Sequence, residues 1–217
     1  MIGSLKAYTP VLAARLGTTP AALYERQRTL VRDGILLHPG GRGPGSGIQL
    51  GPYQVALLLL AVLATDSLVE TGDKVRILAK AKSLANNGSC PLTGESTFAQ
   101  AIARVLDPMW DDWQGIVNVA VHRTDATGVI SYKEGMRAGA SSFAGPKQRA
   151  QTPTRLRVDA TLTRDLIFAI RTDLKKAVDT EQRVRSAALE GIAGSEDHIR
   201  PNGRRHNRNL QQRGKKR

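Results

Sequence analysis

Residues 9–50 read TPVLAARLGTTPAALYERQRTLVRDGILLHPGGRGPGSGIQL, and they decide how the rest of the chain is taken. Thr9 and Pro10 predict an N-cap and a first-turn proline for a helix through Leu12 to Leu16, with residues 1–7 as a short lead-in helix or arm. Gly17 ends that helix, because glycine takes the left-handed conformation without strain. Thr18 or Thr19 caps the next helix, and Pro20 stands at its first turn. In the second helix, 20–33, Leu23, Gln27, Leu30 and Val31 fall at i, i+4, i+7 and i+8 and form the inner face. Gln27 is the polar member, and it either tilts outward or bonds a backbone group. The opposite face carries Ala21, Tyr24, Glu25 and Arg28. Gly34 suits the left-handed exit. Residues 35–37 then read as a short strand, 39–47 as a loop with five glycines around Arg42, and 48–50 as the returning partner strand.

The motif L-A-x-x-L-G-T-T-P at 12–20, then L-x-x-x-Q-x-x-L at 23–30, then R-D-G-I-L at 32–36 and a Gly/Arg loop, resembles the winged helix-turn-helix superfamily of bacterial and phage regulators. The resemblance covers about residues 5–50, under a quarter of the chain. It implies double-stranded DNA as partner, transcription control with contacts to the transcription machinery, and dimerisation. Thr18, Thr19, Ala21, Tyr24, Glu25 and Arg28 would then face DNA, with Arg15 a further contact. Arg42 on the wing would touch the phosphate backbone or enter the minor groove. Two features depart from the pattern: Gln27 on the core side, and a wing longer and richer in glycine. Read without the resemblance, residues 39–47 are a linker. A nucleotide cradle does not fit them, because no Gly-Lys-Ser/Thr is present.

The 217-residue chain carries a formal charge of +13. That points to a polyanionic partner, with nucleic acid ahead of an anionic membrane. Residues 194–217 hold eight Lys/Arg against two carboxylates, a net of +6, which leaves +7 elsewhere. The ordered part is therefore basic too. Aromatics are only 4%, so the core must be built from Leu, Val, Ile and Ala. The single Cys90 excludes an intrachain disulfide and a multi-cysteine zinc site, and it fits a reducing cytosol. No charged segment followed by an apolar run marks a signal peptide. The longest apolar run, 55–64, is half of the ~20 residues that span a bilayer. The expectation is a cytoplasmic, nucleoid-associated protein with no membrane contact.

Beyond residue 50 the pattern predicts an almost wholly apolar helix from Pro52 and a basic amphipathic helix over 68–84. A helix apolar all round must be covered, either by the winged segment and the residues that follow or by a second subunit, and a homodimer contact is the favoured cover. An intrachain linker between domains is the alternative. A turn-rich boundary at 86–91 precedes a helix over 96–106, with Ser96 as cap. Asp107, Asp111 and Asp112 stand with Trp110 and Trp113. Three aspartates without a glycine-bearing ligand loop are weak for a metal. The tryptophans read as core plugs, and the carboxylates as partners of arginines. Strands follow at 116–123, 129–133 and 155–162, with a loose loop over 135–153. Thr163 caps a helix over 164–178 that frays over 181–192. Residues 194–217 read as disordered when free.

No HExxH, P-loop or nucleophile elbow is present. Cys90 and His122 are the one nucleophile–base candidate, with no third residue to orient them. The expectation is an α+β protein that is not an enzyme and uses no cofactor or metal. Its parts are a winged helix-turn-helix (1–50), a helical segment (51–85), an α+β unit (86–180), and a frayed helix with a disordered basic tail (181–217). Its expected function is sequence-specific regulation of transcription. The alternative is a phage-type packaging or genome-maintenance protein using the same module.

Overall fold

A computed structural model describes residues 3–37, 47–135, 137–145 and 158–193. It is a mixed α+β structure. Helices α1 (Leu5–Leu16), α2 (Pro20–Arg32), α3 (Pro52–Leu63) and α4 (Thr71–Ala79) come first. Strand β1 (Lys82–Ser83), helix α5 (Phe98–Leu106) and a 3₁₀ turn (Asp111–Gly115) follow. Strands β2 (Ile116–His122), β3 (Thr127–Glu134), β4 (Arg137–Ala144) and β5 (Asp159–Thr163) lead into the long α6 (Arg164–Ala193). The five strands form one antiparallel sheet in the order β1-β4-β3-β2-β5. Met1–Glu181 form one compact unit and Gln182–Arg217 a second, of which the last turns of α6 are described.

The core is built on α3. Val55 to Leu60 are all 2% exposed or less, and α2, α4 and α5 pack around the helix. The apolar run that the sequence assigns to a dimer contact is thus covered within one chain, and its burial needs no second copy. Phe98 of α5 lies on the sheet and packs against Phe143 of β4, with ring centroids 5.1 Å apart. A Cβ on Gly128 of β3 would run into the Phe98 ring, so glycine is what lets the helix approach there.

Several boundaries differ from expectation. Helix α1 begins five residues earlier than Thr9 as N-cap implies, capped by the Ser4 hydroxyl, which accepts from the Ala7 N–H at 3.2 Å. Pro10 therefore lies inside the helix and deprives the Lys6 carbonyl of its donor. Both residues are exposed. The basic helix expected over 68–84 is only Thr71–Ala79, and Lys82–Ser83 form the edge strand of the sheet. The cap of α5 is Thr97, one residue past Ser96. The largest difference is β4. Residues 137–144, expected as loop, pair with β3 over 137–143 and with β1 at 143–144. Their sequence, RAGASSFA, lacks β-branched residues, so propensity gives no strand signal, and pairing on both sides holds them instead.

The expected wing hairpin is not formed by the described residues. Gly34, at φ +68°, turns the chain back over the end of α2, so the N–H groups of Ile35 and Leu36 both bond the Leu30 carbonyl. Residues 35–37 are not a strand. Residues 48–50 pair instead with the chain before α1: Gln49 bridges Ser4, and the Leu5 N–H bonds the Ile48 carbonyl at 2.8 Å. Of the wing loop 39–47, residues 39–46 with Arg42 lie outside the described residues, as does the tail 194–217.

Candidate nucleic-acid interface

The α1–turn–α2 geometry follows from local chemistry. Gly17 sits at φ +64° and closes α1, with its N–H on the Ala14 carbonyl and that of Thr18 on the Ala13 carbonyl. Thr19 is the N-cap of α2 and accepts from the Ala22 N–H at 3.2 Å, with Pro20 in the first turn. The inner face of α2 buries Leu23, Gln27 and Leu30. Gln27 does not tilt outward. Its amide lies 3.2 Å from the Thr9 hydroxyl, which also lies 3.0 Å from the Leu5 carbonyl. One hydroxyl has one proton. The Thr9 hydroxyl is the donor, and its proton is shared between two acceptors, the Leu5 carbonyl and Gln27 Oε1.

The outer face of α2 stays open. Ala21, Glu25 and Arg28 are exposed, Tyr24 and Thr18 half-buried, and the Thr19 hydroxyl is committed to its cap. Arg28 pairs with Glu25 at 3.0 Å. Beside Tyr24 runs a groove of 390 Å³, bordered by Lys6 of α1, Arg28 and Arg32 of α2, and Gly47–Ile48. The Lys6 ammonium lies 5.6 Å from the centre of the Tyr24 ring. Arg32 bonds Asp33 at 3.1 Å. Lys6 and Arg32 were not legible as members of this site. Arg32 stands one turn past Arg28 and could have been found by that spacing, while Lys6 lies in the first turn of α1, ahead of the start that Thr9 predicts, and reaches Tyr24 across the α1–α2 packing. Arg15 does not join the group. It pairs with Asp173 of α6 at 3.3 Å, and that hydrogen bond raises its pKa.

Three other arginines are spent inside the fold, each on carbonyls at a helix C-terminus, where the unpaired oxygens and the helix dipole favour a cation. Arg26 of α2 donates to the Ala61 carbonyl of α3, to Asp66 O and to Thr71 Oγ1. Arg123, just past β2, donates to the Leu63 and Val62 carbonyls and to both Asp66 carboxylate oxygens. Its hydrogen bonds hold the Asp66 carboxyl below the usual carboxylate range. Arg171 of α6 is buried and donates to the carbonyls of Val105 at 2.7 Å and Trp110 at 2.8 Å. Burial pushes the pKa of both Arg26 and Arg171 down.

Cys90 and His122 have separate partners. Cys90 is buried and bonds Ser141 of β4, whereas His122 of β2 lies 2.6 Å from Asp159 of β5. The sheet order sets β3 and β2 between β4 and β5. In the acidic, aromatic spot Trp110 is buried, Asp107 meets Arg104, and Trp113 stacks on Phe168. Among the described residues no three His, Cys, Asp or Glu side chains are grouped to hold a metal. None of their helices is long and apolar enough to cross a membrane. No family model, curated protein or solved structure matches the chain.

Proposed function

We propose that the protein binds double-stranded DNA sequence-specifically through the outer face of α2 and acts as a transcriptional regulator. The observation that carries this reading is the open face itself. α2 is capped at its start and locked from below by Leu23, Gln27 and Leu30, yet it presents Ala21, Tyr24, Glu25 and Arg28 to solvent. Small side chains at its N-terminal end let the backbone approach a base pair, while Tyr24 and Arg28 reach further. Lys6 and Arg32 border the adjoining groove, which supports a role for them as phosphate contacts. A contact from Arg42, in the segment between α2 and residues 48–50, to the phosphate backbone or minor groove is part of this proposal.

The test is titration of the full chain onto duplex DNA. On a preferred site, Arg28→Ala should cost about 1–3 kcal/mol and relax one base position, if Arg28 meets a guanine. An equal loss on random duplex would make Arg28 a phosphate contact. Absence of duplex binding by the wild type would end the proposal.

A further inference from the structure

Helices α1 and α4 both pack on α2, and they do so on opposite flanks. Lys6 of α1 marks one flank, beside the Tyr24 ring. Asp33 marks the other. A Cβ on Gly72 of α4 would run into the Asp33 carboxylate, and the Arg76 guanidinium donates to the Asp33 carbonyl at 3.3 Å. Tyr24 and Asp33 are nine residues apart. Nine steps of about 100° put them on opposite sides of a helix. Ala21, Glu25, Arg28 and Arg32 run at i, i+4, i+7 and i+11 along the exposed stripe between them. On that stripe Arg28 pairs with Glu25 and Arg32 with Asp33, so its own charges largely cancel. Net attraction for an anion has to come from the flanks. α4 turns its charge outward: Thr71, Gly72, Val75 and Leu78 are buried, whereas Arg76 and the C-cap Lys80 are exposed one turn apart. Lys80 has no ion-pair partner among the described residues. Arg76 pairs with Asp73 at 2.8 Å, but the Asp73 side chain is 83% exposed, and a pair so open to water is worth little. Arg76 can exchange it for another anion at small cost.

We propose that the exposed flank of α4, through Arg76 and Lys80, takes phosphates of the DNA strand opposite the one that Lys6 meets. The inference rests on the reading of α2 as the helix that enters the groove. Packed helix axes lie about 8–10 Å apart, so side chains on the two flanks of α2 straddle a major groove about 12 Å wide. The two phosphate backbones border that groove, one on each side. Lys6 on one flank and Arg76 with Lys80 on the other would then hold the helix between the strands without reading a base.

Titration of the full chain onto duplex DNA at several salt concentrations tests it, with each variant's fold checked by thermal melting. Arg76→Gln and Lys80→Gln should each lower the salt slope of binding by about one and leave the preferred sequence unchanged. Lys80 has no partner to lose within the fold, so its variant keeps the test valid should Arg76→Gln unfold. Asp73→Asn, which frees Arg76 and removes an anion from the same flank, should tighten binding severalfold. Replacing single phosphates of the preferred duplex by neutral methylphosphonates assigns the strands. The replacement that Arg76→Gln or Lys80→Gln no longer feels should lie on the other strand from the one that Lys6→Gln no longer feels. Duplex binding with slopes unchanged in both α4 variants overturns this inference and leaves the reading of α2 standing. So do sensitive phosphates that all fall on one strand. A wild type that binds no duplex overturns both.

Discussion

Gln27 is a polar residue at a core position, and its role is set by one partner. Paired with Thr9, it ties α2 to α1 on the side away from the open face. Gln27→Ala should lower stability by about 1–3 kcal/mol in urea unfolding, because it leaves a gap and removes an acceptor of the Thr9 hydroxyl. Gln27→Leu should be nearly neutral, since Thr9 keeps its bond to Leu5. Asp66 makes a prediction in pH. Its folded pKa lies below the unfolded value because Arg123 bonds it, so its contribution is present above the ordinary aspartate pKa and is lost as pH falls through the folded one. The stability difference between wild type and Asp66→Asn should therefore be level near neutrality and shrink as pH drops below about 4. A constant difference across that range would refute the link. At this scale the legible residues were those whose constraint is local. Gly17, Thr19 and Gly34 each answer to a backbone geometry within four residues. The partner of Arg15 was not legible, because Asp173 stands 158 residues away.

Among the elements, α2 and α6 follow from their 3.6-residue spacing, and β2 from its alternation. The sequence failed where tertiary contact overrides propensity. β4 is a strand because β1 and β3 flank it, and α1 runs through Pro10 because Ser4 supplies an earlier cap. α3 was read rightly as buried, and its cover lies in elements on both sides of it in sequence rather than in the favoured second subunit. The packing of α5 on the sheet gives a direct test. Gly128→Ala should destabilise by about 1–3 kcal/mol, because the added methyl must displace the Phe98 ring. A melting temperature equal to that of the wild type would mean the ring moves aside freely.

Over the whole molecule, the charge of +13 does not translate into a basic α2 face. Around the Tyr24 groove, Lys6, Arg28 and Arg32 stand with Glu25 and Asp33, three cations against two carboxylates. Arg26, Arg123 and Arg171 are occupied by helix ends. Under the proposed reading such a face suits discrimination more than bulk attraction, and the eight Lys/Arg of residues 194–217 would contribute to the latter. Removing those residues should flatten the salt dependence of DNA binding while sparing sequence preference, and an unchanged slope would exclude them from the DNA contact. The proposed site was thus half legible: its helix and its face could be read, but not the residues that border its groove. The most direct measurement is selection from a randomised duplex pool with the full wild-type chain and with Arg28→Ala. The account expects the wild type to enrich a common sequence and the variant to lose preference at one position of it. A wild-type pool that stays random through repeated rounds would contradict it.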